Sequence, residues 1–556
     1  MRSLLRSTVL AGLTGSLIVG AAWAGVGLAP VPVPTALPGL GSDGLPGAEK
    51  GSGSAGASTV AAALAKLGAG QVLIGAAKTS ITPAPERADK TRFPGAKWER
   101  DLKECVRLIS DDAPKTITNV AGHLASAGSP WPENPNCIYQ GGYGLGPNFP
   151  VSSYDPKLGL WVRTMAIGDG KDTMILSVVD GEGWLWDYAK KCQDCGIKQI
   201  AAALGADKDL AARGVKASSF ALHATHSHTS PDFLGGWGFV PDWYMAQVTE
   251  TIKATARQAV LAMEPAVLEI GSEDARAHNS ERRGTYRSAE EPELNWMRGI
   301  AATGKRKGKV LATLGAFAAH PVTEDHEKGV AHADWPGYFN ARVEKRFGGI
   351  GLHFMTGLGN VTGAKSEDVK TGRPSTGTAL ADLLPPPGRG RPAGGTDVRF
   401  AQRTWQQPVT NAPLDALGTP GFFDRQFDAM PAAVSVGKNS NAPCVSAAPQ
   451  SVELPVTVAR IGTDVVLTTG PGELFSNLTN TIKEKNPGQI TFPLAQTNDS
   501  LGYMPQSFEL DPVAMQGLGF AAGGYVFVNY EDSYAIDRCV GDMALEETLK
   551  GLAALK

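Results

Sequence analysis

The chain has 556 residues, 42% hydrophobic and 19% charged, enough apolar material for a large core. Its net charge is −3 and it has no basic run, so the electrostatic footprint of a nucleic-acid-binding protein is missing. Beyond the N-terminal apolar run, no stretch reaches the length of a membrane span, so no transmembrane segment is expected in the mature chain.

In chain order, Arg2 and Arg6 precede an apolar run from Val9 to Gly20, and Ala22-Trp23-Ala24 is a small-x-small cleavage site. Residues 1–24 therefore read as a signal peptide, and the protein is expected to be secreted or periplasmic. Residues 25–59, rich in Gly, Pro and Ala, read as a flexible linker. The six cysteines behind an export signal point to disulfides; spacing favours a local Cys192–Cys195 bridge, and Cys105–Cys137 with Cys444–Cys539 is the expected choice among the roughly 15 pairings that six cysteines leave open.

A first strand is expected at Gln71–Ala77, ended by Pro83 and Pro85. Residues 86–150 show weak periodicity and read as an insertion or lid, in which Gly141-Gly142-Tyr143-Gly144 marks a tight loop or close backbone approach. Leu160–Ile167 and Thr173–Asp180 form a hairpin across Asp169-Gly170. Ile197–Leu204 reads as a helix, Ala217–Leu222 as a strand and Pro241–Met263 as a long helix with Val248, Ile252, Ala256, Ala259 and Met263 facing the core. Strands follow at Ala266–Ser272 and Val310–Ala319, a helix at Gly337–Phe347 and a strand at Gly351–Thr356. Residues 364–396, dense in Pro and Gly, read as an exposed loop that opens an insertion reaching about residue 450. Ser451–Ile461 and Thr463–Thr469 pair across Gly462. Strands interleaved with helices predict the α/β (mixed α+β) class, with mixed sheets under helical cover.

Three of the nine histidines, His223, His226 and His228, fall within six residues where a strand gives way to a loop. On a strand, His226 and His228 would share one face and His223 would take the other. Neutral imidazole is a good zinc ligand. Other strand ends carry ligand types too: His320 follows an apolar strand, Glu473 follows Val465–Thr469, and Tyr503 lies in a polar turn. Two histidines and a glutamate form the ligand set of several zinc hydrolases.

These motifs resemble those of the neutral/alkaline (non-lysosomal) ceramidase family. Ile74 to Thr82 is similar to its opening strand and turn, and Thr225-His226-Ser227-His228-Thr229-Ser230-Pro231 to its T-H-T-H-S-x-P. His320-Pro321-Val322-Thr323, Asp334 to Tyr338, Pro471-Gly472-Glu473 and Asn498 to Tyr503 follow in the family's order. The resemblance implies that residues 60–556 are a catalytic domain and that Zn2+ is bound by His226, His320, Glu473 and Tyr503. It implies that zinc-activated water cleaves an amide, N-acyl sphingosine or a related lipid amide, with a membrane surface as the place where such a substrate would be met. His228, Thr362 and Tyr503 would act in catalysis, and Arg282 or Arg283 would bind substrate. The family's G-D-x-S-P element stands here as Gly359-Asn360-Val361-Thr362-Gly363, so its serine is replaced by Thr362 and its aspartate by Asn360. The family's C-terminal immunoglobulin-like domain is not expected after Tyr503. A zinc hydrolase of another amide or ester, and an exported metal-binding protein without turnover, stay open as alternatives.

Overall fold

In the computed structural model, the described residues are 67–105, 134–142, 149–189, 191–236, 238, 240–283, 289–323, 329–363, 375–411, 424–425, 427–429, 434–436, 444–446, 448, 450–510 and 530–556. The expected signal peptide and linker lie outside them, as do parts of both expected insertions.

The large sheet is built from β1 (Val72–Ser80), β2 (Trp161–Gly168), β3 (Thr173–Val179), β4 (Phe220–Ala224), β5 (Glu264–Asp274), β6 (Glu293–Ala301), β7 (Val310–Phe317) and β8 (Ile350–Met355). Their spatial order is β8-β7-β6-β5-β1-β2-β3-β4, with the short strand Arg391–Pro392 beside β5. All neighbours are antiparallel except β3/β4 and β7/β8, which are parallel. A second sheet has the order β9 (Val398–Pro408), β10 (Gln450–Ile461), β11 (Val465–Thr469), β12 (Ile490–Leu494), with β11/β12 parallel. The described residues all belong to the unit Ser54–Lys556.

Alternation along the strands assigns each face. Met174, Leu176 and Val178 of β3 pack with Met297, Leu352, Ala459, Leu467 and Phe492, forming the core between the two sheets. Ile175 and Val179 point the other way, under α2 (Asp242–Leu261). The predicted stripe of Val248, Ile252, Ala256 and Ala259 is buried there. Gly75 of β1 permits the close approach: a Cβ on it would stand 2.0 Å from the Ala259 carbonyl oxygen. On the second sheet, Val452, Leu454, Val456 and Val458 of β10 pack with α5 (Val540–Ala554). The expected mixed architecture with helical cover is therefore present.

Local differences have local causes. The strand expected from Ala217 starts at Phe220, because Ala217–Ser219 makes a 3-10 turn in which the Ser219 hydroxyl donates to the Lys216 carbonyl (2.7 Å). Within the segment read as an exposed loop, Thr376–Leu383 is a helix capped by Ser375, with Leu380 and Ala381 buried. Val398–Pro408 pairs with β10 along its whole length, although its sequence alternates too weakly to show a strand. Cys105–Cys137 is a disulfide as expected. Cys192 and Cys195 are free and buried rather than bonded to each other; the Cys195 thiol donates to the Cys192 carbonyl (3.2 Å). Cys539 is disulfide-bonded, and the side chain of its expected partner Cys444 lies outside the described residues. Among the described residues no helix is long and apolar enough to cross a membrane.

The edge strands β4 and β8 are brought together at one end by the segment Ala495–Asn498. The Ala495 N–H donates to Met355 O (2.9 Å), Ala224 N–H to Gln496 O (3.1 Å) and Asn498 N–H to Leu222 O (2.9 Å). His223 completes the seam: its Nε2 accepts the Met355 N–H (3.2 Å) and its Nδ1 faces Ala495 O (2.9 Å). Burial lowers the His223 pKa to about 3, and burial also holds His353, packed against Trp335 and Phe339, well below the usual imidazole range. Both rings titrate near 6.5 once unfolded. The unfolded chain therefore takes up protons that the folded chain refuses, and stability falls as pH drops from about 6.5 toward 3. Urea midpoints at pH 7 and pH 5 should show the loss; an unchanged midpoint would contradict it.

Candidate metal centre

Parallel strands end on the same side, and each of the three parallel pairs in the two larger sheets delivers residues to one place. β3 leads to Glu182, β4 to His226 and His228, β7 to His320, β8 to Thr362, β11 to Glu473 and β12 to Tyr503. The candidate ligand atoms of His226, His228 and His320 lie within 4.8 Å of one another, forming a cluster able to hold a metal ion.

His226 and His228 do not converge as two residues on one face of a strand. β4 stops at Ala224, and His226 takes φ 56°, a left-handed conformation uncommon for a side-chain-bearing residue. The other non-glycine residues of positive φ among the described residues are Asp334, at the start of the helix Asp334–Phe347, and Gln496 and Asn498, in the segment that joins β4 to β8. The turn is pinned by hydroxyls: Ser227, Thr229 and Ser230 all donate to the His332 carbonyl at 3.0, 2.9 and 3.0 Å. Gly142 lies against the second histidine, since a Cβ on it would stand 2.3 Å from the His228 ring. This is the close backbone approach expected of Gly141-Gly142.

The Nδ1 of His226 donates to Glu182 O and that of His320 to Leu358 O, both at 2.8 Å. Each ring therefore turns Nε2 inward, with Nδ1 held by a carbonyl on the other side. Both Nε2 atoms face one oxygen, Glu473 Oε2, at 3.6 Å from His226 and 3.2 Å from His320. His320 Nε2 and Glu473 Oε2 are buried without a hydrogen-bond partner. Inward-facing ring nitrogens, a buried carboxylate and ligand-type atoms left without hydrogen bonds fit a divalent cation. His223 does not join them, since its two ring nitrogens are engaged in the seam.

The charges agree with a site that concentrates positive charge. Burial opposes ionisation of both His226 and Glu473, but the pair overcomes it. Glu473 and then Glu182 carry the His226 pKa up to about 9, and His226 and His320 hold the Glu473 carboxyl well below the usual range. Burial first, then the charge on His226, keeps His228 neutral. Burial, reinforced by Arg282, lowers His320 to about 4.

Glu473 and Tyr503 are direct neighbours in a short parallel pair, Glu473–Leu474 beside Tyr503–Met504. Arg282 Nη2 donates to the Tyr503 hydroxyl (3.1 Å) and Gly359 O (3.0 Å), and its Nε to Glu531 Oε1 (2.8 Å). Arg283 turns away: it is buried against Asp532 (2.8 Å) and Glu509 O (3.2 Å). Thr362 is half-buried and bridges His320 through the main chain. Asn360 holds the frame, with Oδ1 accepting the Ser476 N–H (2.8 Å) at the start of α4 (Ser476–Glu484) and Nδ2 donating to Ala289 O (2.7 Å).

Sequence reasoning missed Glu182 and His332. Glu182 carried a usable signal, a carboxylate between two glycines directly after an apolar strand. The role of His332 is exerted by its main-chain oxygen and has no residue-type signature.

Two solved structures share this arrangement of sheets. One, described as ceramidase complexed with C2, aligns with a TM-score of 0.55 over 87% of this chain and 75% of its own. The other, neutral ceramidase from Pseudomonas aeruginosa, aligns with a TM-score of 0.54 over 87% and 74%. The chain has a ceramidase fold. Sequence identity to each is 14%, so the likeness to these ceramidases is one of fold. No protein-family model matches the chain, and no curated protein matches it in sequence.

Proposed function

We propose that the chain is a zinc-dependent hydrolase of the ceramidase type that cleaves an amide bond, with a lipid N-acyl amide as substrate. The observation that carries this reading is the convergence of His226 and His320 on Glu473 Oε2, each ring oriented by a carbonyl, within a ceramidase fold. His226, His320, Glu473 and Tyr503 would hold the ion. Bound zinc supplies a Lewis acid and lowers the pKa of water toward ~7. Neutral His228 is suited to take the proton of the attacking water and pass it to the leaving amine. Arg282, held by Glu531 beside the Tyr503 hydroxyl, places positive charge where negative charge develops on the carbonyl oxygen. Thr362 borders the site and would contact substrate rather than metal.

The test is metal analysis with a panel of lipid amides and matched esters. One zinc per chain, amide hydrolysis lost on chelation and regained with zinc is the expected result. Esters cleaved in place of amides would move the assignment to an esterase, and zinc without turnover would leave a binding protein. Thr362→Ala should keep one zinc per chain; loss of the ion from that variant would place Thr362 among the groups that hold it.

A further inference from the structure

We propose that Glu182 is a positioning residue of the metal site, a buried carboxylate that backs His226 and tightens zinc binding through it. The inference rests on the zinc reading above. Both acceptors near His226 Nδ1 come from this one residue: its carbonyl oxygen at 2.8 Å and its carboxylate Oε1 at 3.5 Å. The side chain is 1% exposed, and Oε2 has no hydrogen-bond partner. Among the described residues its ion-pair partner is His226. Burial pushes the Glu182 pKa up to about 8 and the positive charge on His226 works against that burial, so the carboxylate carries its charge only as far as the positive charge beside it allows.

The surrounding backbone holds the carboxylate beside the ring. His226 N–H donates to Gly181 O (2.9 Å) and Glu182 N–H to Pro231 O (3.1 Å), which ties the end of β3 to the histidine turn. Gly141 closes the far side, since a Cβ on it would stand 2.4 Å from Glu182 Cγ. The carboxylate thus sits at the Nδ1 edge of the ring, away from the inward Nε2, and acts through His226 rather than on substrate. Among the described residues, His320 has the Leu358 carbonyl at Nδ1 and no carboxylate ion-paired at that nitrogen, so the two histidines are unequal. Negative charge behind an imidazole raises the basicity of its far nitrogen, and removing such a partner typically weakens metal binding by about 10- to 100-fold.

Glu182→Gln keeps the shape and removes the charge. Zinc affinity, measured by competition with a chromophoric chelator, should fall by about 10- to 100-fold, while the melting temperature of the zinc-free protein stays near that of the wild type. A merely structural role would lower that melting temperature and leave affinity alone. Gly141→Ala provides an independent route, because its methyl displaces Glu182 without removing a ligand; it too should weaken zinc binding. Wild-type zinc affinity in Glu182→Gln, or in Gly141→Ala should the first variant not fold, overturns the proposal. A wild-type protein that binds no zinc would instead refute the metal reading itself.

Discussion

His226→Ala is expected to lose zinc and hydrolytic activity together. The side chain supplies one of two inward-facing Nε2 atoms, and its loss leaves the proposed ligand set of His320, Glu473 and Tyr503 with a single imidazole. The drop in zinc affinity should exceed the about 10- to 100-fold typical of losing a supporting partner. The backbone at this position complicates alanine, because φ is 56° and a residue other than Gly or Asn is disfavoured there. His226→Asn keeps a side chain that tolerates the left-handed region and removes the ligand geometry, so it separates ion loss from backbone strain. Both variants should be free of zinc by elemental analysis. Full zinc content in either would show that the ion is held elsewhere.

His223→Leu is expected to do the opposite: damage the fold and spare the ion. His223 accepts the Met355 N–H and so joins edge strand β4 to edge strand β8. Leucine leaves that buried N–H unpaired, at a cost of about 1–3 kcal/mol. The thermal midpoint should fall clearly, while the folded fraction still binds one zinc per chain. Loss of zinc with an unchanged midpoint would mean that His223, not its neighbours three and five positions on, belongs to the ligand set. The paired outcomes of His226 and His223 test whether adjacent histidines have been divided correctly between chemistry and architecture.

Much of the candidate site was legible because its residues follow apolar strands. His226, His228, His320 and Glu473 could be picked out one by one as ligand types at strand ends, and their order along the chain resembled one family. The choice between Arg282 and Arg283 was not legible, since adjacent residues in an irregular segment point in directions set by distant partners. Here Glu531 and Tyr503 take one, and Asp532 takes the other. The Cys192–Cys195 expectation came from residue spacing and an export signal; spacing does not determine how the thiols are oriented, and both are free in the folded chain.

By itself, the sequence determined many of the elements and the faces they bury. Alternating and helical apolar patterns are local, and they marked β1, β2, β3, α2 and the β10/β11 hairpin with little shift in their bounds. The residue types at strand ends likewise determined which chemistry was open to the chain. Only the tertiary structure decided which of those ends meet. Parallel pairing of β3 with β4, β7 with β8 and β11 with β12 brings them to one side. The seam at His223 then closes the edges of the large sheet beside that place. Whether a histidine binds an ion depends on which of its nitrogens is already engaged, and that is settled by carbonyls and carboxylates far away in sequence: Glu182 for His226, Leu358 for His320, and Met355 and Ala495 for His223.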